Sequence, residues 1–178
     1  MIPAVDMPRI QGIDVPRSLY WLLLEPAPLA GMAFPSCDTP WRTLHDLGFR
    51  HVVCLAAKSP GYDPAPLRHV YAGDLQDLVG GQFPRDPARE ERLSRAAARI
   101  VTAHVLAGEG VVVHCLGGTG RTGTVLGCVL KSLGFAVDEV VARLRTLSEA
   151  RGKRPGWPES PWQRALVERY SGSGTPCP

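Results

Sequence analysis

No apolar run in this chain is long enough to span a membrane: the longest, Leu19 to Leu24, falls far short of the ~20 residues that a spanning helix needs. The N-terminus also lacks a basic region followed by a secretory apolar core, so the reading is of a cytoplasmic protein. The five cysteines, Cys37, Cys54, Cys115, Cys128 and Cys177, are odd in number and include no C-x2-C pair. That argues against a disulfide framework or a zinc site and for a reducing compartment. Lysine is scarce, with Lys58, Lys131 and Lys153 alone, and the net charge is only +3. Such a charge favours anionic ligands mildly and is no nucleic-acid footprint. No solenoid-like repeat is visible. What is left, 178 residues at 44% hydrophobic and 21% charged, is the composition of one globular domain over 1–178. A proline-punctuated extended arm is expected over 1–16, and a flexible polar tail over 171–178.

The chemistry concentrates between Val111 and Gly127. Val111 to Val113 are β-branched and read as a short buried strand, and Cys115 to Gly120 read as a tight loop that opens into a helix at Arg121. That helix is expected over Thr122 to Leu133, with Val125, Leu126, Val129 and Leu130 on one side and Gly134 as its stop. Gly117, Gly118 and Gly120 lie just before the helix N-terminus, where unpaired N–H groups and the positive end of the dipole attract an anion. Cys115 opens the loop and Arg121 closes it, with five residues between them. The loop amides, the guanidinium and His114 together favour the thiolate over the thiol. A thiolate beside a phosphate-shaped nest is a phosphoryl acceptor. Arg121 can hold two equatorial oxygens bidentately, where lysine would offer a point charge.

Two rival uses of the same residues fail. Gly118, Gly120 and Gly123 spell G-x-G-x-x-G, with Asp138 twenty residues beyond the first, but only 40 residues follow Asp138. That is too few to complete a doubly wound dinucleotide domain, and Cys115 and Arg121 would be left idle. A nucleoside-triphosphate loop needs Lys-Ser or Lys-Thr after the glycines, and neither is there.

The H-C-x5-R-T-G pattern from His114 to Gly123 resembles the signature of the cysteine-dependent protein tyrosine and dual-specificity phosphatases. The resemblance implies a three-layer α/β fold, a central parallel-rich mixed sheet flanked by helices. It also implies Cys115 as nucleophile, the amides of Leu116, Gly117, Gly118, Thr119 and Gly120 with Arg121 as the phosphate cradle, and His114 orienting the loop. Thr122, with a hydroxyl in reach of the sulfur, would help expel the thiolate. No metal or other cofactor is needed, because the loop and Arg121 take the place of a cation.

The same resemblance implies a general-acid aspartate on a loop after a strand and ahead of the helix leading to the cysteine strand. Asp74, Asp77 and Asp86 compete for that role. Asp86 precedes Pro87 and reads as a helix N-cap. Asp77 is preferred over Asp74: it follows Leu75-Gln76, and Gly80, Gly81 and Pro84 offer a hinge and a loop end. Its distance from the proline exceeds the family's usual spacing by a few residues.

Around these stretches the chain reads as strands at Leu19 to Leu24, Ala30 to Met32 and Phe49 to Leu55, then an extended segment from Arg68 to Leu75. A short helix capped by Asp38 or Thr39, with Pro40 at its first position, ends at Gly48. Longer helices are expected over Asp86 to Ala107 and Asp138 to Leu147, and a last one starts from Ser160 with Gln163 completing a capping box. Arg151, Lys153 and Arg154 read as a solvated helix end, and His104 as a structural histidine. Cys54 reads as a core residue, with a resolving thiol as the alternative. Trp157 and Glu159 fall in a turn that borders the site. The expected activity is hydrolysis of phosphotyrosine, with phosphoserine and phosphothreonine as further substrates, through a phosphocysteine. A small non-protein phosphomonoester, or phosphoprotein binding without turnover, are the alternatives. The absence of Lys and Arg from Leu116 to Gly120 argues against a highly charged inositol phosphate. Expected partners are thus a phosphorylated protein or a small phosphomonoester, with no nucleic acid and no membrane, and the oligomeric state is open.

Overall fold

Three consecutive valines are apolar towards both sides of a sheet, and only an inner strand can bury both sides. Val111 to Val113 form the core of β5 (Gly110–His114), which lies in the middle of a five-stranded sheet. The computed structural model describes residues 8–172. Its other strands are β1 (Leu19–Leu23), β2 (Leu29–Met32), β3 (Phe49–Cys54) and β4 (Arg68–Ala72), in the order β1-β2-β5-β3-β4. β2, β5, β3 and β4 are mutually parallel, and β1 closes one edge antiparallel to β2. This is the parallel-rich mixed sheet that the sequence led us to expect.

Alternate residues serve different cores. Tyr20, Leu22, Val53, Val111 and Val113 face one cluster, and Leu19, Trp21, Val52 and Val112 face the other. Slipping any of these strands by one residue would exchange the two sets, so the pattern fixes the register. The first cluster is covered by α2 (Pro87–Leu106), α3 (Gly120–Ser132), α4 (Val137–Ala150) and α5 (Pro161–Arg169). The second is covered by α1 (Trp41–Asp46) and by a turn carrying Ile10, which makes three layers.

α3 sits against α2, α4 and α5 and is buried from Gly120 to Leu130. A helix buried all round needs small residues where neighbours approach. A Cβ at Gly123 would lie 2.5 Å from Trp157 Cδ1, which makes glycine obligatory there.

The helix ends repeat most of the expected signals. The Asp86 carboxylate accepts from Arg89 N at 2.9 Å with Pro87 following, and Gln163 Oε1 accepts from Ser160 N at 3.2 Å. Three boundaries differ, the first being the end of α4, which runs past the expected Leu147 to Ala150. α1 starts at Trp41 with Pro40 in the cap position, so no side chain caps it and neither Asp38 nor Thr39 does so. α3 starts at Gly120, one residue early, because Gly123 N already donates to Thr119 O at 2.7 Å. Of the N-terminal arm, residues 1–7 lie outside the described residues, while Ile10 is buried and Pro8 O accepts from Trp21 Nε1. Of the tail, residues 173–178 lie outside them too, Cys177 included. Among the described residues, no helix is long and apolar enough to cross a membrane.

Candidate active site

The loop after β5 owes its shape to what stands behind it. Cys115 O accepts from His114 Nδ1 at 3.2 Å, and Leu116 O from Phe34 N at 2.8 Å. Gly117 O accepts from Arg151 Nη2 at 2.9 Å, and Gly118 O from both Arg151 Nη1 at 2.7 Å and the Tyr20 hydroxyl at 2.9 Å. Thr119 O and Gly120 O accept from Gly123 N and Thr124 Oγ1. A planar trans peptide points its N–H opposite to its carbonyl. With the carbonyls of Cys115 to Gly120 tied back, the amides of Leu116 to Arg121 turn to the other side, the arrangement expected of a phosphate cradle. Gly118 is where this packing leaves no choice: its φ is +70°, and a Cβ there would meet Met32 O at 2.5 Å.

Cys115 is 2% exposed, at the floor of the cradle, and its Sγ accepts from Gly118 N at 3.2 Å. Arg121 occupies the first turn of α3, 7% exposed, donating through Nη1 to Leu75 O and through Nη2 to the Asp77 carboxylate at 3.1 Å. The structure therefore brings Asp77 to Arg121. Asp74 is held differently: its backbone bridges to Ala56, its carbonyl accepts from Arg89 Nη2, and its side chain is exposed. Thr122 is fully buried, and its hydroxyl has no hydrogen-bond partner among the described residues. Leu116, at 56%, and Gly117 are the exposed residues of the loop.

His114 is buried and neutral near pH 7. A carbonyl only accepts, so Nδ1 carries the proton towards Cys115 O, and Nε2 accepts from the Tyr62 hydroxyl. The imidazole pKa is lowered to about 4, chiefly by burial; the bond to the Cys115 carbonyl opposes this and nearby His69 adds to it. The ring thus ties the loop in place and brings no positive charge to the sulfur.

Sequence reasoning missed the largest support of the cradle. Arg151 is 3% exposed, a correction to its reading as part of a solvated helix end. It holds the carbonyls of Gly117, Gly118 and Arg17 and lies 4.4 Å from the Tyr20 ring centroid. Glu159 borders the site as expected of its turn. Burial and the Asp77 charge hold its carboxyl pKa above the ordinary range, against the pull of Arg121. Glu159 O also accepts from Gly81 N at 3.0 Å, linking this turn to the segment that follows Asp77. Cys54 is buried on β3, opposite His114 in register.

Residues 16–166 match the family model described as the Swiss Army Knife protein, DSP-PTPase phosphatase domain. The chain belongs to this family and is a phosphatase domain of the dual-specificity and tyrosine-phosphatase type. Among solved structures it is similar to the core catalytic domain of the PP-IP phosphatase SIW14 from S. cerevisiae in complex with citrate, at 16% identity, TM-score 0.56 and 82% of each chain. It is also similar to Tk-PTP in the active form, at 23% identity, TM-score 0.55, over 79% of this chain and 88% of that one. A third is PTPMT1 in complex with PI(5)P, at 14% identity, TM-score 0.57, over 80% and 88%. At these identities the likeness is one of fold.

Proposed function

We propose that this phosphatase acts through a phosphocysteine on Cys115 and that phosphotyrosine in proteins is its favoured substrate, with phosphoserine and phosphothreonine as further ones. The observation that carries the mechanism is Cys115 Sγ at 3.2 Å from Gly118 N, on the floor of an amide cradle closed by Arg121 and its partner Asp77. An arriving phosphate takes the Arg121 guanidinium from Asp77, which frees the carboxyl to face the leaving group. Sulfur attacks phosphorus, the bond to the leaving oxygen breaks, and Asp77, which takes a proton from solvent once Arg121 has left it, passes that proton to the oxygen. The amides of Leu116 to Arg121 and the guanidinium carry the equatorial charge. Water then attacks the phosphocysteine and yields a proton to the Asp77 carboxylate, with Glu159 beside it as a second acceptor to orient that water. The unpartnered Thr122 hydroxyl donates to the departing sulfur.

One observation favours the non-protein reading of the substrate. A cleft of about 610 Å3 lies at the end of α4 and along the turn that leads to Glu159, lined by residues that include Arg145, Lys153, Arg154 and Trp157. The Lys153 charge reaches Glu159 at the cradle rim. A phosphomonoester carrying further anionic groups would find its cations there, outside the loop that lacks them. PP-IP for SIW14 and PI(5)P for PTPMT1 are ligand names of this kind.

The test compares p-nitrophenyl phosphate, phosphotyrosine peptides and soluble inositol phosphates, without metal and with reductant, on wild type and Cys115→Ser. Turnover by wild type and a loss of about 10⁴-fold or more in the variant support the mechanism. Tight phosphopeptide binding by wild type without turnover of any of the three would replace it with a binding module.

A further inference from the structure

Away from Cys115, near the entry to the parallel strands, three side chains from three elements converge. His51 stands on β3, His104 in the last turn of α2, and Glu109 in the turn before β5. His51 Nε2 lies 2.8 Å, and His104 Nδ1 2.7 Å, from the same oxygen, Glu109 Oε2. The two rings face each other with centroids 3.8 Å apart. None of the three takes part in the phosphatase chemistry, and His104 and Glu109 open to solvent, with side chains 28% and 45% exposed.

We infer that His51, His104 and Glu109 form a binding site for a divalent transition-metal cation of the Zn2+ type, with solvent completing its coordination. Two imidazole nitrogens and one carboxylate oxygen suit zinc and its neighbours in the d-block, whereas calcium and magnesium take oxygen ligands. Bonds of about 2.0–2.2 Å place neighbouring ligands of a tetrahedral zinc roughly 3.3–3.5 Å apart. The separations here bracket that edge: 2.7 and 2.8 Å through the carboxylate, and no two of the ligand atoms more than 4.8 Å apart. A cation replacing the two N–H protons needs the carboxylate to draw back by about 0.6 Å and the rings to turn slightly, with no backbone change.

The backbone under the site is already fixed. Glu109 N donates to His104 O at 3.0 Å, Gly110 N to Gly48 O at 3.2 Å, and His51 pairs with Val111 in the sheet. His51 Nδ1 is buried with no partner among the described residues, so no second hydrogen bond opposes a small turn of the ring, but the proton that Nδ1 takes when Nε2 binds a metal finds no acceptor there, at some cost to affinity. Each imidazole moves its remaining proton to the other ring nitrogen, so binding to the neutral rings and the ionised carboxylate releases no proton. A bound cation would clamp the end of α2 to β3 and to the entry of β5, and it would stabilise the fold by mass action.

The test uses the full chain carrying Cys37→Ser, Cys115→Ser and Cys177→Ser, so that the thiol exposed among the described residues, the one in the cradle and the one in the tail cannot compete for metal. Titration with Co2+, followed by its visible absorption, and with Zn2+ by calorimetry should show one equivalent bound through nitrogen and oxygen. Adding His104→Gln or Glu109→Gln, both at partly exposed positions that tolerate the change, should weaken binding by at least about 100-fold. Zn2+ should raise the unfolding temperature of the parent and leave those variants unchanged. No saturable binding by the parent, or equal binding by parent and variants, would overturn the site.

Discussion

Two buried arginines stand on opposite sides of the same loop, and they are held by different kinds of partner. Arg121, in front, makes one bond to a main-chain carbonyl and pairs with Asp77, a carboxylate that is 45% exposed. Arg151, behind, bonds to the carbonyls of Gly117, Gly118 and Arg17 and to the Thr119 hydroxyl. A phosphate can displace a side-chain carboxylate from the first. Nothing displaces the carbonyls of Gly117 and Gly118 from the second, because they are the loop. On the proposed mechanism the two cations divide the work: Arg121 would meet the ligand, and Arg151 turns the carbonyls away so that the amides can meet it.

The sharpest way to break this comparison is to change each arginine to lysine and measure kinetics and urea unfolding on both. Arg121→Lys should lower kcat by about 10²–10³-fold, as for loss of a donor to the transition state, with little change in stability. Arg151→Lys should do the reverse. An ammonium cannot reach all of those carbonyls at once, and buried acceptors left unpaired cost roughly 1–3 kcal/mol each, so unfolding should shift by about 2–4 kcal/mol. Its kcat should fall by less than about 10-fold when measured well below the new midpoint. Equal kinetic losses with no change in stability for Arg151→Lys would make the rear arginine a partner in chemistry.

A smaller effect separates the two aspartates in front. Asp77→Asn should cost about 10²-fold in kcat on substrates with poor leaving groups and remove the basic limb of the pH–rate profile. The loss should shrink on p-nitrophenyl phosphate, whose leaving group needs less help. Asp74→Asn, at a residue that uses its backbone to bridge Ala56, should stay within about 2-fold. A result with the two exchanged would show that Asp77 serves only to hold Arg121 between turnovers.

What could be read from the sequence was what lies close together in it. The valines, the glycines, Cys115 and Arg121 are neighbours, so a strand, a loop and a helix start could be placed, and the fold class followed from the order of the surrounding elements. The rear of the loop was not legible, because its donors are remote: Arg151 is 33 residues from Gly118, and Tyr20 is 98. An arginine at a helix end followed by Gly152, Lys153 and Arg154 carries no mark that distinguishes a buried guanidinium from a solvated one. The same holds for His51, His104 and Glu109, which share no local spacing and meet only because β3 pairs with β5 above the end of α2.

The smallest effect tests the third support behind the loop, His114. Its folded pKa of about 4 lies below the ordinary value of 6.5, so the unfolded chain binds the extra proton first as pH falls. Stability from this residue is intact above about 6.5 and is lost progressively towards 4, by roughly 2 kcal/mol between pH 7 and pH 5. His69, also lowered by burial, adds a contribution of the same sign, while Glu159, raised by burial, opposes both at the acid end. The contribution of His114 is therefore read as a difference. Urea unfolding of wild type and His114→Gln at pH 7 and pH 5 should give a smaller pH dependence for the variant, even if it is less stable at both. An identical dependence would mean that the folded ring takes up a proton as readily as the unfolded one and is charged at pH 5. The Tyr62 hydroxyl would then face an N–H instead of a lone pair, and His114 would bring to the sulfur the charge that its burial denies it.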